Sequence, residues 1–300
     1  MQSLIEVQNR MERLQDIRHL LRSVRAMSAI RWRRARTHLR TAQTYATAVD
    51  RQLGWVMALT AKSQHRLLSG QASAAIGEAR GLITLTSDRG LCGTFNSELV
   101  SQAQQLIQRW QGQGQQVKVI SLGGYGERFF REAGHEILHT EQFPLTHVIS
   151  FVAAREVITR IKEFYEAGAI GALYILYNQF ISFGSYKAVL VRLLPPDLSQ
   201  LAAQLQAVPS DLILGSARED LQRFLLWEHL ATRLYLALIE SLVSEHSARL
   251  QTMDAAINNL DERVSALELR YHTIRQEQIT QEVLEVQDNL HGRDNPLKEA

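Results

Sequence analysis

A chain of 300 residues with 45% apolar and 21% charged residues has an ordinary globular profile, with room for one large domain or two modest ones. Its net charge of +2 implies no overall attraction to nucleic acid or membrane, and no run of about 18 apolar residues is present to form a membrane span. The single cysteine, Cys92, excludes an internal disulfide framework and a multi-cysteine zinc site, and the arginine-rich, amphipathic N-terminus does not read as a secretory signal; a cytoplasmic chain is expected.

The first element is a long helix. Leu4, Val7, Met11, Leu14, Ile17, Leu21 and Val24 recur at steps of three and four, and no Gly or Pro precedes Gly54. The helix is expected to end near Leu68, ahead of Gly70, so that residues 1–68 form one segment. Its first 40 residues carry ten Arg against Glu6, Glu12 and Asp16.

Residues 79–210 change character. Leu82–Thr86 reads as a strand followed by a glycine turn, Asn96–Trp110 as a helix, Gln116–Ser121 as a strand and Gly126–Glu132 as a short helix. A helix over Phe151–Ala167 and strands over Ala172–Phe180 and Tyr186–Leu194 complete the alternation, which predicts a small Rossmann-like α/β domain with a largely parallel sheet. Pro195, Pro196 and Pro209 mark an irregular exit.

Residues 215–290 give the strongest signal. Leu236, Ile239, Val243, His246, Leu250, Met253, Ile257, Leu260, Val264, Leu267, Tyr271 and Ile274 alternate in steps of three and four, a heptad seam with one polar interruption at His246. No Gly or Pro lies between Ser216 and Leu290, so this helix runs about 74 residues, roughly 110 Å at 1.5 Å per residue. Two long terminal helices predict an antiparallel coiled coil, each well-buried seam residue contributing about 1.5–3 kcal/mol.

Three segments invite a chemical reading. His135-Glu136-Ile137-Leu138-His139 matches the H-E-x-x-H zinc pattern, which requires a helix so that both imidazoles share a face. Gly134 precedes it and Phe143-Pro144 follows; in an extended segment the two His lie about 13 Å apart and cannot chelate together. Gly90 and Gly93 follow one strand, and Gly123, Gly124 and Gly126 another, as phosphate loops do; neither turn carries the lysine of a Walker loop or the G-x-G-x-x-G spacing, and tight strand–helix turns are the default. Arg31-Trp32-Arg33-Arg34-Ala35-Arg36 has one aromatic and no matching basic excess elsewhere, so an acidic protein partner is preferred to nucleic acid. The ratio of 28 Arg to five Lys, within a Lys+Arg total of 33, suits fixed carboxylate contacts. Catalytic carboxylate pairs and a G-x-S-x-G elbow are absent from the sequence, and no enzyme of its own, cofactor or metal is expected.

Thr86-Ser87-Asp88-Arg89-Gly90-Leu91-Cys92-Gly93-Thr94-Phe95-Asn96 closely resembles the signature S-D-R-G-L-C-G-G-F-N of F-type ATP synthase gamma subunits, with Thr94 in place of a glycine. Ser244 to Asn259 resembles the family's S-E-x-x-A-R-M-x-A-M-x-x-A-x-x-N, and Tyr271 to Glu285 its Y-N-x-x-R-Q-A-x-I-T-x-E-L-x-E. Leu173–Phe180 with Leu194-Pro195 is similar to the family's Y-N-x-F strand and following L-P. The likeness spans nearly the whole chain. Departures are Val24 where the family has Met, Arg at several Lys positions, His272 for Asn, and an acidic patch reduced to Asp211; they mark a divergent or alternate-type branch. The chloroplast dithiol insertion is missing, so thiol switching is not expected.

The resemblance implies a central shaft inside a hexamer of three alpha and three beta subunits, with epsilon and the membrane c ring at its foot, coupling ion-driven rotation to the beta subunits on the cytoplasmic face of a bacterial inner membrane. By position it implies that Arg275 and Gln276, with Thr280 and Glu282 beside them, contact a beta-subunit loop. Ile279, Val283 and Val286 are implied to turn in the hexamer's sleeve, Arg22, Arg25, Arg31 and Cys92 to lie near the acidic moving lobe of beta, and Pro209–Gly215 to rest on the c ring. The coupling ion, H+ or Na+, is not legible. The alternatives are a freestanding coiled-coil scaffold carrying an α/β domain and, behind it, a nucleotide- or metal-binding α/β enzyme.

Overall fold

The computed structural model of the chain describes residues 4–59, 79–143, 149–196, 208 and 214–293. Its elements are α1 (Leu4–Leu59), β1 (Arg80–Leu85), α2 (Phe95–Gly112), β2 (Val117–Leu122), α3 (Gly124–Glu132), β3 (Ile137–Glu141), α4 (Phe151–Glu166), β4 (Ala172–Ser182), β5 (Ser185–Leu194) and α5 (Arg218–Arg293). The expected continuation of α1 from 60 to 68, and residues 209–213 of the Pro209–Gly215 segment, lie outside the described residues. Among the described residues no helix is long and apolar enough to cross a membrane.

Contacts divide the chain into two units, Ser28–Gln251 and Met1–Met27 with Thr252–Ala300. The larger unit is built on a five-stranded sheet of order β3-β2-β1-β4-β5. β1 pairs parallel with β2 and β4, β2 pairs parallel with β3, and only β5 runs antiparallel, against β4. Both faces are covered, which is why β1 reads as a nearly continuous apolar run broken only by Thr84. Leu82 points with Val119 and Leu176 toward α2 and Phe130 of α3, while its neighbour Ile83 points with Ile120 and Ile175 toward α4, α1 and α5.

Within this unit α5 is enclosed almost all round: nearly every residue from 237 to 250 is buried, Glu240, Ser244, Glu245, His246 and Arg249 among them. α1 meets it through small and branched residues, Ala35 and Leu39 packing on Ile239 and Val243. Nearer the end of the pair, Asp50 is buried; His229 Nδ1 donates to one of its carboxylate oxygens at 2.7 Å and Arg233 to the other at 2.6 Å. Burying a carboxylate is costly unless its oxygens are paired in this way.

The smaller unit is an antiparallel helix pair. Arg18 meets Asp261 at 3.0 Å and Arg25 meets Asp254, so the ion pairs recur one heptad apart on each strand of the coil. On α5 the predicted seam is inward: Met253 and Val264 are buried, and Ile257, Leu260, Leu267, Tyr271 and Ile274 are half-buried. On α1 one expectation is corrected. Ile17, assigned to the seam, is 46% exposed, and the inward step between Leu14 and Leu21 is taken by Arg18. Leu14 and Leu21 lie seven apart, so a step of four then three is as regular as three then four. The Arg18 side chain is 24% exposed and its guanidinium reaches Asp261, so a long basic side chain can occupy an inward position while its head is paired.

Candidate functional site: the loop–helix clamp

The strand order reverses direction beside β1, with β2 on one side and β4 on the other, and in open α/β sheets the crevice at such a switch point takes the ligand. Here α5 lies across it. Arg249 donates from Nη2 to the carbonyl oxygens of Arg89 at 3.2 Å and Gly90 at 3.3 Å, in the loop after β1, and its Nε also reaches Gly90 O at 3.3 Å. Two residues earlier, Ser247 Oγ accepts from the amide of Gly184, in the turn after β4, at 2.7 Å. The position a ligand takes elsewhere is filled by the chain's own guanidinium.

The loop itself is self-bonded. Asn96 Oδ1 accepts from the Ser87 amide at 2.9 Å, and Asn96 Nδ2 donates to Ser87 Oγ at 2.7 Å and Cys92 Sγ at 3.3 Å. Ser87 Oγ in turn donates to Arg89 O at 2.6 Å. Asn178 of β4 donates to Phe95 O at 2.9 Å, tying the start of α2 to the sheet. Asp88 caps the neighbouring turn by accepting from the Gly124 amide at 2.8 Å. Leu91, at φ +64°, holds a left-handed conformation that a non-glycine residue adopts rarely, and it is 56% exposed.

These contacts decide the reading of the glycine turns. At φ +115°, Gly123 would bring an added Cβ to 2.0 Å of Thr86 O. The glycine is required by the close approach of two strand ends, not by a phosphate. The zinc motif is likewise settled by backbone: its second histidine lies in β3, not on a helix, and His135 Nε2 is hydrogen-bonded to Gln104 Oε1 at 2.7 Å. Among the described residues no group of three or more His, Cys, Asp or Glu could hold a metal ion.

Around the clamp, Arg249 Nη2 also meets Glu245 Oε1 at 2.7 Å, and Nη1 lies 3.2 Å from His246 Nδ1. Burial raises the Glu245 carboxyl above the usual carboxylate range, with Arg249 and Arg31 opposing it. Burial, then Arg249 and Arg31, lowers His246 to about 3. Burial raises the Cys92 thiol.

The residues expected to contact a partner divide between the units. Arg31, half-buried in the larger unit, acts electrostatically on Glu245 and His246. Cys92 is 2% exposed and packs on Phe95 and Ala248 beside Tyr186, and the exposed tip of its loop is Arg89, Gly90 and Leu91. In the smaller unit Arg22 is exposed, and Arg25 is paired with Asp254. Arg275, Gln276, Ile279, Thr280, Glu282, Val283 and Val286 are all exposed on α5, Thr280 Oγ1 returning a bond to Gln276 O at 2.8 Å. Glu245 and Arg249 lie within the Ser244–Asn259 block with no role assigned from sequence; their i,i+4 spacing on a helix was the signal. Asn178 is the Asn of the Y-N-x-F strand, but its partner, a backbone carbonyl 83 positions away, is not legible in the sequence.

Fold and site together define a protein of two long helices and an α/β domain whose ligand crevice is closed by its own side chain. A family model described as ATP synthase matches residues 3–288. An ATP synthase gamma chain from Anaeromyxobacter sp. (strain K) is 31% identical over 290 residues, covering 95% of this chain and 97% of that one. One from Geobacter metallireducens is 30% identical over 286 residues, covering 95% and 97%. The mitochondrial ATP synthase of Euglena gracilis (OSCP/F1/c-ring) contains a chain of the same fold, with a TM-score of 0.69 at 17% identity, covering 99% of this chain and 98% of that one. The chain belongs to the F-type ATP synthase gamma chain family, whose members are non-catalytic subunits of the central stalk.

Proposed function

We propose that this chain is the rotating shaft of an F-type ATP synthase, set inside a hexamer of three alpha and three beta subunits and joined to epsilon and a membrane c ring. Family likeness along residues 3–288 is the observation that carries this reading, since every part a shaft needs lies in that span. Residues 1–68 and 215–290 act as the shaft and 79–210 as the domain at its foot, and the complex works at the cytoplasmic face of a bacterial inner membrane, moving H+ or Na+. A freestanding scaffold has no observation in its favour.

The mechanism requires asymmetry. A threefold ring is driven through distinct states only if its axle presents each beta subunit with a different face, because only differential contacts shift a conformational equilibrium. The smaller unit offers such faces: exposed Arg10, Arg13 and Arg22 on α1, and exposed Glu277, Glu282 and Glu285 beside Ile279, Val283 and Val286 on α5. In this reading Arg275, Gln276, Thr280 and Glu282 meet a beta loop, the three apolar residues form the bearing, and the arginines face acidic beta surface. Arg22 is the clearest test, because Arg25 is already paired within the chain. Arg22→Glu in the assembled enzyme is expected to lower ATP-driven ion transport severalfold while leaving assembly intact. Unchanged transport removes Arg22 from the coupling surface.

A further inference from the structure

His246 is the one polar interruption of the α5 seam, 2% exposed, at a position where a heptad pattern asks for an apolar residue. Its Nδ1 faces Arg249 Nη1 at 3.2 Å. A guanidinium only donates, so Nδ1 is the acceptor and the ring proton sits on Nε2. The charged groups around it are Arg249 and Glu245 on its own helix and Arg31 on α1, with Asp88 acting on Glu245 from the loop. Burial and the two positive groups acting on it, Arg249 and Arg31, hold the imidazole neutral. Each nitrogen of Arg249 now has an acceptor: Nε takes Gly90 O, Nη2 takes the loop carbonyls with the Glu245 carboxylate close by, and Nη1 takes His246.

We infer that His246 is a positioning residue for coupling: as a neutral acceptor it fixes the plane of the Arg249 guanidinium, and so holds the exposed loop tip Arg89–Leu91 at the attitude the shaft presents to its surroundings. The coupling part rests on the shaft reading above; the positioning part is a property of this chain. Glu245 lies against only one edge of Arg249, at Nη2. Without His246 the opposite edge loses its acceptor in a buried site, and the guanidinium is free to turn off the carbonyls.

The test separates this role from packing. His246→Leu restores an apolar seam and is expected to melt no lower than wild type, yet to speed amide hydrogen exchange at Gly90–Cys92 about tenfold. His246→Asn, which keeps an acceptor near the Nδ1 position, is expected to return exchange to the wild-type rate. Nitrogen NMR of the full chain with labelled histidine is expected to show His246 neutral and protonated at Nε2 from pH 8 to pH 5. In the complex with alpha, beta, epsilon and the c ring, His246→Leu is expected to hydrolyse ATP while pumping severalfold fewer ions per ATP, and His246→Asn to pump normally. Wild-type exchange in His246→Leu, or a His246 titrating near its ordinary value, overturns the positioning role. A loosened loop with undiminished pumping overturns the coupling role alone, and a wild-type chain that fails to assemble counts against the shaft reading instead.

Discussion

Arg249 of α5 donates to the backbone carbonyl of Arg89 at 3.2 Å, across 160 positions of sequence, and by that bond the long C-terminal helix closes the crevice of the α/β domain. Two sequence blocks that look independent, the glycine-rich loop and the S-E-x-x-A-R run, are the two halves of one contact. The loop supplies carbonyl acceptors and the helix supplies the donor.

Removing that donor strands its partners. Glu245 and Arg249 side chains are each 8% exposed, and breaking a buried pair from one side costs roughly 3–5 kcal/mol. Burial already raises the Glu245 carboxyl, so proton uptake by the orphaned group draws the loss toward the lower end. Urea denaturation of Arg249→Met is expected to show this loss, and Glu245→Gln added to it is expected to recover part. A loss below about 1 kcal/mol means that the pair is solvated.

Gly123→Ala tests the second contact at the strand ends. With φ at +115° and Thr86 O 2.0 Å from the added Cβ, either the β2–α3 turn or the end of β1 must move. The expected cost is roughly 3 kcal/mol or more, read as a fall in melting temperature and in soluble yield. Gly134→Ala, also at positive φ but with nothing within 4 Å, is expected to cost about 1 kcal/mol.

In the helix pair, apolar seam and ion pairs make unequal contributions. Met253 is 1% exposed, and Met253→Ala is expected to cost about 2–5 kcal/mol. Arg18 and Asp261 side chains are 24% and 42% exposed, so Arg18→Ala is expected to cost under about 1 kcal/mol, shrinking further in high salt. Denaturation of the two variants side by side checks the ranking; an Arg18 variant worse than the Met253 variant reverses it.

Acid separates His246 from its neighbours. Its folded value lies near 3 and its ordinary value at 6.5, so between them the unfolded chain binds the proton that the folded chain refuses. The contribution is complete above pH 6.5 and is lost as pH falls toward 3. Glu240 and Glu245, raised by burial, run in the opposite sense, but they are present in both proteins when wild type is compared with His246→Asn. Between pH 7 and pH 5 wild type is expected to lose about 2 kcal/mol more than the variant. Parallel pH profiles contradict a buried neutral imidazole.

Much of the fold was legible because periodicity reports burial. The α5 seam from Met253 to Ile274 follows the heptad list, and β1, β2, β4 and β5 fall within a residue or two of their apolar runs. Ile17 failed because two regular steps fit between Leu14 and Leu21, and choosing between them takes a partner, Asp261, that local pattern does not contain. β3 escaped notice as an element: all five of its residues are half-buried, leaving little alternation to read. At the site, residue types pointed to the loop and the helix separately. That they join, and that Cys92 faces inward, depends on contacts more than 150 positions apart.

The central claim is that this chain is a shaft, and co-expression with cognate alpha and beta subunits tests it most directly. Gel filtration is expected to give a stable complex with one copy of the chain per three alpha and three beta subunits, and ATPase activity that depends on the chain. A chain that elutes alone, beside a hexamer whose activity is the same with or without it, contradicts the shaft and returns the scaffold to first place.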